Sequence, residues 1–275
     1  MLKQALVNSE IADDPYMVAD IAKAYIVSRD VFKLSEFQDY IASLDNRVPA
    51  EIQMRLMSNM MRRVRRGTRW FLRNRRAGLE PAKDVAVFRE GLTVVQQSIA
   101  DGFHGLVHEE WLSQRQELEK YGVPEEWILP LCMPANLFSG LSIVEATVLT
   151  EVPIARAAKM FFLLMESVKL DWFASELSNV TVESYWQAQA RESYIDDLEA
   201  QLRRLTVSLL ALQGERTFEE VIDLWQQKNH HMLQRWNTMV HEVQGAQVTD
   251  YAMFSVALRE LIDLAQATIH CQSLD

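Results

Sequence analysis

Glycine is scarce in this chain, with nine residues among 275. Loops that cradle phosphates and tight β-hairpin turns both depend on glycine, so P-loop chemistry and most all-β folds are disfavoured at once. Cysteine is scarcer: Cys132 and Cys271 are too few for a disulfide framework and suit a reducing compartment. Proline is absent after Pro153, which leaves the rest of the chain free to form long helices. The longest charge-free run covers 18 residues, Trp127 to Val144. Pro130, Pro134, Asn136 and Gly140 interrupt it, and a broken backbone in lipid leaves polar groups unsatisfied, so it reads as a buried connection and not a membrane span. Acids at Glu10, Asp13, Asp14 and Asp20 and the lack of an apolar core near Met1 speak against a secretion signal, and a cytoplasmic location is predicted.

Catalytic signatures are missing as well. Gly102 and Gly105 are the closest approach to a glycine motif, and neither G-x-G-x-x-G nor a G-x-S-x-G nucleophile elbow occurs. The six histidines are His104, His108, His230, His231, His241 and His270; none completes H-E-x-x-H or follows a glutamate by three residues. His104 and His108 share a helical face, but no third or fourth metal ligand is indicated. Cys132 sits in the apolar Leu-Pro-Leu-Cys-Met-Pro run, where burial would raise its thiol pKa and leave it inert. No catalytic, cofactor-binding or metal-binding residue is therefore assigned.

What the chain does have is helical periodicity. Asp14-Pro15 reads as an N-cap and first turn, with Met17, Ile21, Ala24 and Tyr25 on one face. Ser35 to Gln38 reads as a capping box, and Val48-Pro49 opens a long helix predicted to run to about Arg76. Further helices are expected near 83–100, 106–121 and 131–139, with a second capping box at Ser142 to Glu145. Beyond Pro153, periodic stretches at 153–168, 182–212, 218–243 and 249–270 predict an antiparallel bundle, with Thr217 to Glu220 capping one helix and Gly214 and Gly245 marking joins. The fold class is all-α: one helical domain over 1–275, with subdomains 1–121 and 142–275 joined by the apolar, proline-containing connection.

Charge is the unusual feature. The chain carries 28 Lys+Arg against 38 Asp+Glu, a formal charge of −10, yet nine arginines fall between Arg55 and Arg76, and no acid lies between Glu51 and Glu80. Without those nine the remainder carries −19. On a helix, Arg62, Arg66, Arg69, Arg73 and Arg76 form one stripe, opposite an apolar face of Leu56, Met57, Met61, Val64, Thr68, Phe71 and Leu72. Like charges at i, i+4 repel by a few tenths of a kcal/mol per pair, so a negative partner is expected. Three partners fit: carboxylates on neighbouring helices, the surface of another domain or subunit, or nucleic acid or another anionic ligand, with Trp70 and Phe71 interleaved among the arginines to stack bases. The last would make the chain a free-standing nucleic-acid- or anion-binding protein, with Arg62, Arg66, Arg69, Trp70, Arg73 and Arg76 as candidate binding residues. The acidic remainder disfavours nucleic acid.

Several segments carry a family resemblance. Arg29-Asp-Val-Phe32, Leu44-Asp-Asn-Arg-Val-Pro-Ala-Glu-Ile-Gln53 and Arg69-Trp-Phe-Leu-Arg-Asn74 resemble the C-terminal region of the large bacterial NAD-specific glutamate dehydrogenases. Ser142 to Glu145, Leu170-Asp-Trp-Phe173, Trp186 to Arg191 and Ser255 to Leu261 continue the resemblance in order along nearly the whole chain. It implies a fragment of a longer polypeptide that oxidatively deaminates L-glutamate to 2-oxoglutarate and ammonia with NAD. In that family the catalytic lysine, its assisting acid and the NAD loop lie in a dehydrogenase core ahead of the helical part. No position here matches them, so the resemblance implies a non-catalytic segment that binds no cofactor itself. Its expected partners are the remainder of the dehydrogenase and neighbouring subunits, with no membrane.

Overall fold

A computed structural model of the chain describes residues 18–44, 48–74, 81–100, 106–125, 127–128, 139–246 and 250–271. Among them are twelve helices and no strand, the all-α class expected from the sequence. The chain divides into two compact units, Met1–Leu141 and Ser142–Asp275. The expected Asp14 cap, the 131–139 helix and Cys132 lie outside the described residues.

The first unit contains α1 (Val18–Val31), α2 (Leu34–Ser43), α3 (Ala50–Arg73), α4 (Pro81–Ala100) and α5 (Leu106–Lys120). Helix α1 packs on both α3 and α4, α2 packs on α3, and α5 packs on α4. Pro49 immediately precedes α3, where its missing N–H costs nothing, and its carbonyl accepts from the Ile52 and Gln53 amides. Ile52, Leu56, Met60 and Val64 repeat every fourth residue and are buried. The apolar face is thus rotated from the expected one: Met60 is buried and Met61 is exposed, because α1 approaches on the Met60–Val64 side. The approach is close. A Cβ on Gly67 would overlap Ser28 Oγ and lie 2.6 Å from the Phe32 ring. Ser28 and Thr68 hydroxyls both donate to the Val64 carbonyl at 2.7 Å, fixing the crossing.

Other ties complete this unit. Arg89 Nε donates to the Asp30 carbonyl at 2.6 Å, and its guanidinium lies 3.6 Å from Glu36. Phe37 and Tyr40 of α2 pack against Trp127, the Tyr40 ring stacked at 5.5 Å. The expected capping box at Ser35 does not form. Helix α2 begins two residues earlier than such a cap implies, at Leu34, after Lys33 in the left-handed region (φ 52°), with no side-chain cap.

The second unit contains α6 (Ser139–Thr150, which crosses the unit boundary), α7 (Ile154–Ser167), α8 (Leu170–Asn179), α9 (Tyr185–Leu212), α10 (Phe218–Lys228), α11 (His230–Gly245) and α12 (Tyr251–Ile269). The 28-residue α9 packs on α7, α8, α10 and α12. Ser184, Thr217 and Asp250 cap α9, α10 and α12, and Thr217 with Glu220 forms the reciprocal capping box the sequence predicts. The box expected at Ser142 is absent, since the helix begins at Ser139 and Ser142 is buried inside it.

The stretch 218–243, expected as one helix, is two. Asn229 leaves helical geometry, and both its amide and its side-chain Nδ2 bond the Trp225 carbonyl, at 3.0 and 2.9 Å. An asparagine side chain that competes for backbone groups in this way ends a helix. The break serves two buried tryptophans: Trp225 Nε1 donates to Thr268 Oγ1, and Trp236 Nε1 to the Val168 carbonyl, each at 2.9 Å. Trp236 also packs on Phe173, which packs on Phe254. Helix α8, not anticipated, follows Lys169 in the left-handed region (φ 57°).

One charged cluster lies within this bundle. Glu145 of α6 and Glu199 of α9 are both buried and both act on Arg203. Burial pushes the Arg203 guanidinium pKa down, and the two carboxylates push it back up.

Two outcomes follow for stability. Gly67→Ala should destabilise the first unit by about 2 kcal/mol, because the added methyl overpacks the α1–α3 crossing. Gly245→Ala, whose Cβ would meet nothing within 4 Å, should be neutral or mildly stabilising. Urea unfolding of both variants checks the contrast; equal midpoints would remove the crossing as a constraint. Arg203→Ala should cost the second unit about 3 kcal/mol by stranding two buried carboxylates. Acid should relieve the deficit, since protonated carboxyls no longer need the cation. A deficit unchanged between neutral and acidic pH would count against this account.

Candidate functional site

The arginine-rich α3 is the segment singled out from the sequence, and the fold sorts its residues into two groups. Arg62 and Arg73 are exposed, Arg66 is half-buried, and Arg69 and Trp70 are buried. Arg76 lies outside the described residues. Trp70 packs edge-on against Phe71 and Phe88 at ring distances of 5.2 and 5.4 Å, and Phe71 meets Phe88 at 5.0 Å. This aromatic cluster joins α3 to α4 and places the Trp70 ring where no base can stack on it. The single stripe expected from spacing is therefore interrupted at its middle member, Arg69.

Towards the N-terminus the exposed face is continuous. Met54, Arg55, Ser58, Met61, Arg62 and Arg65 all lie within little more than one quarter-turn to one third of the helix circumference, and all are exposed. Met54 is 74% exposed and Met61 43%. Arg55 is neutralised by Glu117 of α5 at 2.6 Å. Arg62 and Arg65 make no ion pair among the described residues. The 4-3-4-3 arginine stripe drawn through Arg66 and Arg69 passes beside Met54 and Arg65, and Met61, expected on the apolar face, is exposed. Intramolecular pairing, one of the three partners considered, is thus realised at Arg55 and not at Arg62 or Arg65.

Elsewhere, Ser167, Gln226, His230, Gln234, Asn237, Thr238 and His241 edge an open groove of about 550 Å³ with Val168 and Leu233 at its floor. Its lining carries no acid or strong base. His108 stacks on Trp111 at 5.9 Å, with Arg115 over the indole at 5.2 Å, so its ring belongs to an α5 packing cluster. His104 is outside the described residues. Among the described residues no three His, Cys, Asp or Glu side chains converge as a metal ion would require, and no helix is long and apolar enough to cross a membrane.

Residues 16–263 match the family described as "Glutamate dehydrogenase, C-terminal". The chain is 37% identical over 287 aligned residues to the NAD-specific glutamate dehydrogenase of Pseudomonas aeruginosa, covering 98% of this chain and 18% of that protein. It is 35% identical over 250 residues to the enzyme of the same name from Halomonas elongata, covering 90% of this chain and 15% of that protein. A more distant relative of that name, from Mycobacterium tuberculosis, is 21% identical over 88% of this chain. The chain spans less than a fifth of the length of the curated relatives it matches. It belongs to the glutamate dehydrogenase C-terminal family.

Proposed function

We propose that this chain is the non-catalytic helical segment of an NAD-specific glutamate dehydrogenase, where it supports assembly by packing on the dehydrogenase portion or on a neighbouring subunit. The observation that carries this is the family match across nearly the whole chain, at under a fifth of the length of its relatives. The parent would convert L-glutamate and NAD to 2-oxoglutarate, ammonia and NADH in the cytoplasm, with NAD held outside this segment. A regulatory role, restraining domain closure, is compatible with the same placement. The free-standing nucleic-acid-binding reading has less support, since Arg69 and Trp70 are buried.

The test is an immunoblot of a native lysate under denaturing conditions, using an antibody against this chain. A band several times heavier than 31.8 kDa is expected. A single band near 31.8 kDa would mean an independent protein and end the parent assignment. Given the heavier band, this chain produced separately should co-purify with the remainder of the polypeptide.

A further inference from the structure

We infer that the exposed Met54–Arg65 face of α3 is a docking surface for an acid-bearing, partly apolar surface of the dehydrogenase portion of the longer polypeptide. The inference rests on the reading that this chain is a segment of such a polypeptide, and it adds which face is used and what that face recognises.

Three observations carry it. The first is charge. Arg62 and Arg65 stand exposed on a helix with no acid between Glu51 and Glu80, and neither is paired among the described residues. The nearest neutralised cation, Arg55, already has Glu117, so the uncompensated charge is concentrated about two to three turns further along. A complementary surface must bring carboxylates, and planar guanidinium groups favour paired, oriented ones.

The second is composition. Met54 and Met61 lie seven residues apart on the same face as Arg62 and Arg65, and both are exposed. Methionine and arginine are enriched at protein interfaces over ordinary surface, whereas lysine and glutamate are depleted there. The face holds no lysine and no glutamate between Met54 and Arg65. Thioether side chains offer nothing to a phosphate backbone, and the one aromatic that would stack a base is buried. A protein surface therefore fits better than nucleic acid.

The third is rigidity. The opposite face of α3 is held by Ile52, Leu56, Met60 and Val64, and by the Gly67 crossing against Ser28. The exposed face is presented on a fixed helix, and ordering its long side chains is the main conformational cost of docking.

The experiment compares the 275-residue chain with the full-length dehydrogenase polypeptide by methionine-oxidation footprinting, using a free methionyl peptide as dosimeter. Met54 and Met61 should oxidise readily in the separate chain and about fivefold more slowly in the full-length protein, where the docked surface excludes solvent. Equal rates in the two would overturn the surface assignment while leaving the parent reading intact. If no longer polypeptide carries this sequence, the parent reading fails first and the occupant named here fails with it.

A second arm tests the chemistry of the face. R62E combined with R65E should weaken capture of the remainder by about tenfold at low salt while the far-UV circular dichroism stays unchanged. Undiminished capture would remove the two arginines from the interface. Tight, salt-sensitive binding of a single-stranded oligonucleotide, lost in the same variant, would overturn the protein surface in favour of nucleic acid.

Discussion

The close crossing of α1 and α3 at Gly67 is the contact on which the first unit depends. Seven like charges on α3, from Arg55 to Arg73, should disfavour the helix, by a few tenths of a kcal/mol for each i, i+4 pair. Burying one side chain the size of leucine or methionine stabilises by about 1.5–3 kcal/mol. Ile52, Leu56, Met60, Val64 and Leu72 are all buried, so packing outweighs repulsion, provided that α1 can come near enough. A glycine facing Ser28 and Phe32 allows that distance, and the two hydroxyls on the Val64 carbonyl hold the register. The helix exists because its back is locked, and only then can its front carry unpaired cations.

The second unit solves a different problem. A helix of 28 residues surrounded by four others must bury polar side chains, because its sequence keeps Gln189, Glu199, Gln201 and Thr206 on inward positions. Thr206 returns its hydroxyl to the Leu202 carbonyl at 2.8 Å, and Glu199 faces Arg203 together with Glu145. Charged groups that meet within the bundle, as Glu145 and Glu199 do at Arg203, tie particular helices together, at the cost of sensitivity to the loss of any one partner.

The all-α class, the long C-terminal helices and the Thr217 capping box were legible because each rests on local signals: period, proline placement and a reciprocal side-chain cap. The joins were less so. Lys33, Glu151 and Lys169 all take left-handed backbone without being glycine, so the punctuation that betrays most helix ends was missing. This is why α8 went unseen after Lys169 and why α2 appeared to begin at Ser35. At Asn229 the period continues through the break, and only the tertiary demand of Trp225 and Trp236 for separate acceptors shows why the helix ends there.

The arginine helix illustrates the same limit at the level of a site. Spacing alone predicts a basic stripe from Arg62 to Arg76, but Arg66 is half-buried and Arg69 buried, and the continuous exposed basic face runs instead from Arg55 to Arg65. Where it goes next depends on what covers the helix, which no local pattern encodes. Arg69 sits at the angular centre of the exposed face, yet it is buried together with Leu72 and Trp70. The covered end and the open end of one stripe thus have different roles. Arg69 and Trp70 belong to the internal packing of the first unit. Arg62 and Arg65, on the same exposed face as Met54 and Met61, are left facing outward, and a chain that forms under a fifth of its relatives has most of its potential partner surface in the rest of such a polypeptide.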